Sequence, residues 1–278
     1  MSLRNVVVII GTGGMGLAIA RRLGSGSHLV LADFSQAQLD NAAEVLRGEG
    51  HSIHAFQTDV SSLDSVQHLT QQASKLGTIR AIAHTAGVSP VQATPDRIYK
   101  VDLLGTVHVI DAFLSVASTD TSLVVIASLA GHQANGTLSA DLEKHLATAP
   151  ADKILNHPEL ALPPDLQENA PGLRSYWISK RANIIRVQAS ALAWGKKGAR
   201  INSVSPGIIS TAMGHQEFQG PLKEQLRGLV EDSPVARIGT PSDVANIAAF
   251  LCSPEASFIT GEDILMDGGW ASSKRWVG

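Results

Sequence analysis

The sequence predicts a doubly wound α/β fold, one parallel sheet with helices on both faces. Three observations predict it. Short apolar, β-branched runs recur along the chain, separated by longer stretches of helical period. The runs are apolar at consecutive positions, as strands buried on both faces require. A glycine-rich stretch, GTGGMG at 11–16, joins the first run to the first helical stretch. Right-handed crossovers between such strands build an open sheet wound in both directions. The 278 residues, 44% hydrophobic, can bury a sizeable core and are read as a single domain, 1–278.

The elements follow in order. Strands are expected at VVVII (6–10), HLVLA (28–32), SIHAFQ (52–57), IRAIAH (79–84), SLVVIA (122–127), RINSVS (200–205) and DILMD (263–267). Helical period covers 14–23, 36–46, 63–75, 95–116, 175–194 and 242–252. The stretch 133–174 breaks the alternation. It holds SADLEKHLA, long enough for about two helical turns, and a Pro-rich piece, HPELALPPDLQENAPG. A structureless loop of that length is unusual inside a compact domain. It is read as an inserted helical excursion over the sheet's C-terminal edge. A partly disordered surface insertion is the alternative, which its Pro and Asn content permits.

Net charge is −3 and no basic run stands out, so neither nucleic acid nor an anionic membrane is expected as a partner. One cysteine, Cys252, excludes an internal disulfide and fits a reducing compartment. The N-terminal apolar run is too short for a signal segment or a membrane span. A soluble, cytoplasmic protein is expected.

The glycine loop raises the first functional question. Gly11, Gly13 and Gly16 satisfy G-x-G-x-x-G between a strand and a helix. Gly11 allows the tight turn, Gly13 or Gly14 lets the backbone approach a pyrophosphate, and Gly16 allows close helix–strand packing. The helix N-terminus offers free N–H donors. Alone, the motif fits a plain glycine turn equally well. A second strand ending in Asp33 tips the balance, because a carboxylate there accepts from the adenosine ribose hydroxyls and repels a 2′-phosphate. No Arg or Lys adjoins Asp33 in the sequence, so NAD is favoured over NADP.

Tyr176 and Lys180, in YWISK, lie four apart and share one helix face. A free tyrosine, with a pKa near 10, is a poor base. A nearby ammonium lowers that value. A phenol tuned in this way can take an alcohol proton or give one to a ketone. Ser128, at the end of the fifth strand, is the candidate to orient the carbonyl oxygen. As a spacing, Y-x-x-x-K is common and means little.

In combination these elements resemble the short-chain dehydrogenase/reductase family along nearly the whole chain. The resemblance rests on the glycine loop, Asp33, TDV (58–60), HTAG (84–87), VDLLG (101–105), SLAG (128–131), YWISK (176–180), SPGIIST (205–211) and MDGG (266–269), in that order. It implies a Rossmann-type fold and NAD(H)-dependent interconversion of a secondary alcohol and a ketone or aldehyde. Ser128 would hold the substrate oxygen, Tyr176 would be the acid/base, and Lys180 would bind the nicotinamide ribose. Met15 in the loop, Phe34 after Asp33, and Asp59 with Val60 at the adenine would help hold the cofactor. Thr85, Ala86 and Gly87, where members read N-A-G, would line the adenosine ribose side. Pro206, Gly207, Ile209 and Thr211 would close on the carboxamide. No metal is implied, and a homodimer or homotetramer is.

Three departures stand out. The glycine loop is one residue short of the family's G-x-x-x-G-x-G. The family's catalytic asparagine is Asp102 here, within VDLLG. In the family that residue holds a relay water through its backbone carbonyl. An added carboxylate could raise the Lys180 pKa and blunt its effect on Tyr176. Asp102 is either part of an active relay or a structural helix residue. Third, the segment between HTAG and VDLLG is short. With the long insertion, this resembles the subgroup of bacterial 3α-hydroxysteroid dehydrogenase/carbonyl reductases and coniferyl-alcohol-type dehydrogenases. A bulky hydrophobic alcohol such as a hydroxysteroid would then be the substrate.

The remaining candidates are blander. His84, His132, His145 and His157 lack metal-ligand spacing and are read as solvated or capping. Met213 and Phe218 lie in a stretch that is either a mobile lid or a surface helix-loop. Trp177 and Trp194 are read as packing residues, with Trp177 also placed to line a pocket. A non-catalytic dinucleotide sensor is the rival function, against which the intact Ser128, Tyr176 and Lys180 set argues.

Overall fold

A computed structural model describes residues 5–161 and 172–276. Among them seven strands form one sheet: β1 (Asn5–Ile10), β2 (His28–Asp33), β3 (Ser52–Gln57), β4 (Thr78–His84), β5 (Ser122–Ile126), β6 (Arg200–Pro206) and β7 (Asp263–Met266). Every neighbouring pair is parallel, in the order 3-2-1-4-5-6-7. Chain order reverses between β1 and β4, and a crevice opens at the strands' carboxyl ends there. All seven expected strands are present.

The helices are α1 (Gly14–Leu23), α2 (Gln36–Gly48), α3 (Leu63–Leu76), α4 (Pro95–Ile98), α5 (Gly105–Val116), α6 (Leu129–Gln133), α7 (Ala140–Thr148), α8 (Leu173–Gly195), α9 (Ala212–Gln219), α10 (Lys223–Glu231), α11 (Pro241–Cys252) and α12 (Trp270–Trp276). Serine or threonine caps begin several of them. Ser35, Ser62 and Ser139 accept from the amide three residues on. Thr240 and Asp243 form a reciprocal capping box. Each cap is worth about 1 kcal/mol.

Strand alternation splits the core in two. Val6, Val8, Ile10, Leu123 and Val125 face one layer, with Phe113 of α5 and Trp194 of α8. Val7, Ile9, Val124 and Ile126 face the other, with Ile19 of α1, Leu39 of α2 and Leu251 of α11. Each fully buried aliphatic side chain stabilises the fold by about 2 kcal/mol. Trp194 is a packing residue, as read from the sequence.

The described residues of the 133–174 stretch hold α6's end, α7, a 3-10 turn at Pro158–Leu160 and the first residues of α8. Leu142 and Leu146 of α7, with Ile154 and Leu160, pack on Tyr99, Leu103, Ile178 and Ile185. Arg181 of α8 reaches Glu143 of α7 at 2.7 Å. Most of the Pro-rich piece, 162–171, lies outside the described residues.

One expected helix is not regular. The 95–116 stretch passes from α4 through a π-helical turn, Tyr99–Leu104, into α5. The Gly105 amide donates to the Lys100 carbonyl, five residues back. Gly105 is needed where the helix crosses Val60, because a Cβ there would stand 2.7 Å from the Val60 Cγ2. The wide turn contains Asp102.

Candidate active site

Two cavities meet along the carboxyl edge of the sheet. The first lies over β1, β2 and β4. The whole glycine loop, from Gly11 and Gly13 to Gly14, Met15 and Gly16, is on its wall. So are Asp33, Phe34, Asp59 and Val60, and across the crevice Thr85, Ala86 and Gly87.

The loop fits a dinucleotide by close packing. Gly11 has φ +95°, and a Cβ on it would stand 2.6 Å from the Ala86 amide nitrogen. A Cβ on Gly16 would stand 1.9 Å from the Gly11 carbonyl oxygen. Gly13 meets nothing closer than 3.9 Å and faces open space. No side chain caps α1 there, so its first amides remain available to a phosphate. Asp33 is held rigidly beside them. Its Oδ2 accepts from the Thr12 amide at 2.7 Å and the Thr12 hydroxyl at 2.9 Å, and its Oδ1 from the Ser35 amide at 2.9 Å.

A cation that sequence adjacency does not reveal lines the same cavity as Asp33. Arg97, from α4, lies over the Phe34 ring at 5.1 Å and lines the same cavity. It donates to the Ser61 hydroxyl at 3.2 Å and stands 3.8 Å from Asp59. Gln38, which donates to Asp33 at 3.2 Å, also lines the wall and was not singled out.

The second cavity lies over β5 and β6 and holds Ser128, Tyr176, Pro206, Gly207 and Ile209. Met15, Thr211 and Met213 line both cavities and mark their junction. Ser128 is extended and caps α6, its hydroxyl accepting from the Ala130 amide at 3.1 Å. Trp177 lines this cavity as well. Met213 lies on α9, the segment read as a lid or surface helix.

Lys180 and Asp102 lie beneath the cavity walls, 5% and 1% exposed. Lys180 Nζ is 5.4 Å from the Tyr176 ring centroid and 3.1 Å from the Asp102 Oδ2. The other Asp102 oxygen accepts from the Val88 amide at 2.8 Å. Gly87 makes room for this pair, since a Cβ there would sit 3.1 Å from the carboxylate and 3.3 Å from the ammonium.

The Asp102 backbone carbonyl is occupied by protein donors. The Thr106 hydroxyl reaches it at 2.9 Å. The Asn183 amide, oriented to satisfy its neighbours, donates to it at 2.9 Å. A relay water on that carbonyl would compete with both. The carboxylate, not the carbonyl, is the part of Asp102 that meets Lys180.

Electrostatics corrects one expectation. Burial pushes the Tyr176 phenol above its ordinary value, and the charges of Glu217 and Asp102 add to the rise. Lys180 and the Ser128 hydroxyl oppose it without reversing it. The phenol is therefore not lowered. Burial works against the Lys180 ammonium, but Asp102 and Tyr176 outweigh it and raise the lysine. Burial also holds the Asp102 carboxyl above the usual range, against the pull of Lys180 and the Val88 amide.

The histidines need a correction too. His84 is neither solvated nor capping but buried, 3.1 Å from the Thr106 hydroxyl, with its pKa pushed down to about 3 by burial and the Lys180 charge. The Thr106 hydroxyl donates to the Asp102 backbone carbonyl, so in the contact with His84 it accepts and the His84 Nε2 is assigned the hydrogen. His157 caps the 3-10 turn. The His145 and His157 rings meet at a tilt with centroids 4.9 Å apart, yet no three His, Cys, Asp or Glu among the described residues gather to hold a metal ion.

Two family models match the chain, short chain dehydrogenase over residues 4–140 and enoyl-(acyl carrier protein) reductase over residues 166–271. Short-chain dehydrogenase/reductase bsc3 of Alternaria brassicicola is 39% identical over 267 residues, 96% of this chain and 95% of that one. The chain belongs to the short-chain dehydrogenase/reductase family. Human dehydrogenase/reductase SDR family member 4 is 30% identical over 268 residues, covering 96% of this chain and 87% of the relative. The crystal structure of a Brucella melitensis short-chain dehydrogenase/reductase, described as a glucose/ribitol dehydrogenase, superposes with TM-score 0.73 at 29% identity, covering 97% and 99% of the two chains.

Membership makes the protein an oxidoreductase that uses a nicotinamide dinucleotide and a small-molecule substrate. Family members are generally oligomeric. Among the described residues no helix is long and apolar enough to cross a membrane.

Proposed function

We propose that the protein is an NAD(H)-dependent oxidoreductase interconverting a secondary alcohol and a ketone, with Tyr176 as acid/base. The observation that carries this is the position of Tyr176. Its phenol lines the substrate-side cavity beside Ser128, next to the wall shared with the cofactor-side cavity, and Lys180 lies beneath its ring.

The bound nicotinamide supplies or accepts the hydride. The chain's residues do the rest. The free amides of α1 bind the pyrophosphate, and Asp33 accepts from the adenosine ribose hydroxyls. Its fixed negative charge disfavours a 2′-phosphate. Arg97 is already engaged by Phe34, Ser61 and Asp59, so it leaves that preference in place. Ser128 donates to the substrate oxygen. Tyr176 gives its proton to a ketone or takes one from an alcohol. Lys180, kept charged by Asp102, holds the ribose and stabilises the phenolate. Ile209 and Thr211 close the carboxamide side. We assign Asp102 as a positioning residue acting through Lys180.

The raised phenol gives a pH signature. Reduction needs protonated Tyr176, so its rate stays level through neutral pH and falls only at alkaline pH. Oxidation needs the phenolate and climbs throughout that range. An NAD-coupled screen of secondary alcohols, steroids and aromatic alcohols, read at 340 nm, tests the reaction class. NADPH binding tighter than NADH in a fluorescence titration would overturn the cofactor assignment. A dimer or tetramer is proposed as the assembly, which light scattering reads directly.

A further inference from the structure

The substrate-side cavity is apolar over most of its wall, with Leu129, Leu173, Trp177, Leu222 and Leu226 prominent. One charged side chain lines it among the described residues, Glu217 of α9. That carboxylate is half-buried and forms no ion pair among the described residues. The Ser89 hydroxyl beside it is itself buried and lacks a well-aligned hydrogen bond. Burial raises the Glu217 carboxyl above its usual range, with only Ser89 opposing. Glu217 and Tyr176 line the same cavity, and the Glu217 charge is felt at Tyr176.

A half-buried carboxylate in a largely apolar wall, without a counter-ion, becomes unfavourable once a ligand covers it unless something donates to it. A wholly apolar ligand would strip it of water and leave it only the poorly aligned Ser89 hydroxyl. A ligand with a hydroxyl or ammonium in reach would give a charge-assisted hydrogen bond. We infer that Glu217 selects substrates whose apolar body carries a second group, remote from the reacting carbon, that donates a hydrogen bond. The inference rests on the alcohol/ketone reading of the same cavity and departs from it in one respect. A bulky hydrocarbon alcohol with no second donor becomes a poor substrate, however well it fills the space.

The test uses matched secondary alcohols on a bicyclohexyl frame: 4-cyclohexylcyclohexanol, 4,4′-bicyclohexanol, and the amino-alcohol with an ammonium in place of the second hydroxyl. Binding is measured calorimetrically to the full chain loaded with NADH, so that no alcohol turns over. The wild type should bind the two donor-bearing ligands about ten- to hundredfold tighter than the plain one, the range set by leaving a buried acceptor unpaired. Glu217→Leu should erase that preference with an unchanged melting temperature. Glu217→Gln should keep part of the hydroxyl preference and lose that for ammonium. Equal affinities in the wild type, a preference that survives in Glu217→Leu, or no binding of any member would each overturn the inference. Failure of the reaction class shows separately, as no NAD-dependent oxidation of any alcohol while the binding order stands.

Discussion

The two halves of the crevice are built from different materials. The half over β1, β2 and β4 presents backbone: glycine amides, a helix N-terminus, and a carboxylate locked by Thr12 and Ser35. The half over β5 and β6 presents side chains, carried there by α8, α9 and α10 and by Ser128. Backbone approach at van der Waals distance dictates residue identity, whereas an apolar wall accepts many residues of similar volume. The first half is therefore fixed in sequence and the second free to vary, which on the proposed reading suits a cofactor in the first and a substrate in the second. Substitutions in the two halves should fail in different ways.

The largest effect belongs to the side-chain half. Tyr176→Phe should bind NADH normally and lose turnover by about 10²- to 10⁴-fold, the range for a positioned acid/base. Unchanged turnover in a steady-state assay would remove Tyr176 from the chemistry. In the backbone half the failure should be structural. Gly16→Ala puts a methyl 1.9 Å from the Gly11 carbonyl, so the loop must shift. The expected result is a lower melting temperature and loss of NADH binding, read by calorimetry. Asp33→Ala adds no clash to the loop, but it removes the proposed ribose acceptor and leaves the Thr12 and Ser35 amides without the carboxylate that holds them. NAD affinity should fall about ten- to hundredfold, with NADP affinity less affected.

The smallest effect should come from between the halves. Asp102→Asn restores the family's residue, and activity should stay within about tenfold because Tyr176, Ser128 and Lys180 remain. The sign of its pH effect follows from charge. The Asp102 carboxylate raises the phenol, so its removal lowers it and moves the alkaline rise of alcohol oxidation to lower pH. A pH–rate profile that does not move would show that the carboxylate is not felt at Tyr176.

The same division explains what could be read from the amino-acid order. Gly11, Gly16 and Asp33 were legible because each answers a steric or hydrogen-bonding demand at a fixed place after a strand. YWISK was legible only with its companions, since one helical turn of spacing is common. Arg97 was not, because it reaches Phe34 from a helix that sequence adjacency does not join to β2. Glu217 was not, because nothing in HQEFQ marks which residue faces the cavity. The direction of the Tyr176 shift was missed because burial, set by the surrounding fold, outweighs the lysine four residues away.

The wide turn at Tyr99–Leu104 has a consequence of its own. A π-turn is geometrically one residue inserted into an α-helix. Residues on its two sides are thereby rotated relative to each other by about 100°, one residue's share of a helical turn. Deleting a single residue here would heal the helix into regular form and swing Asp102 away from Lys180. A helix made more regular, and by its own hydrogen bonding more stable, would then leave the lysine ammonium buried without its counter-charge.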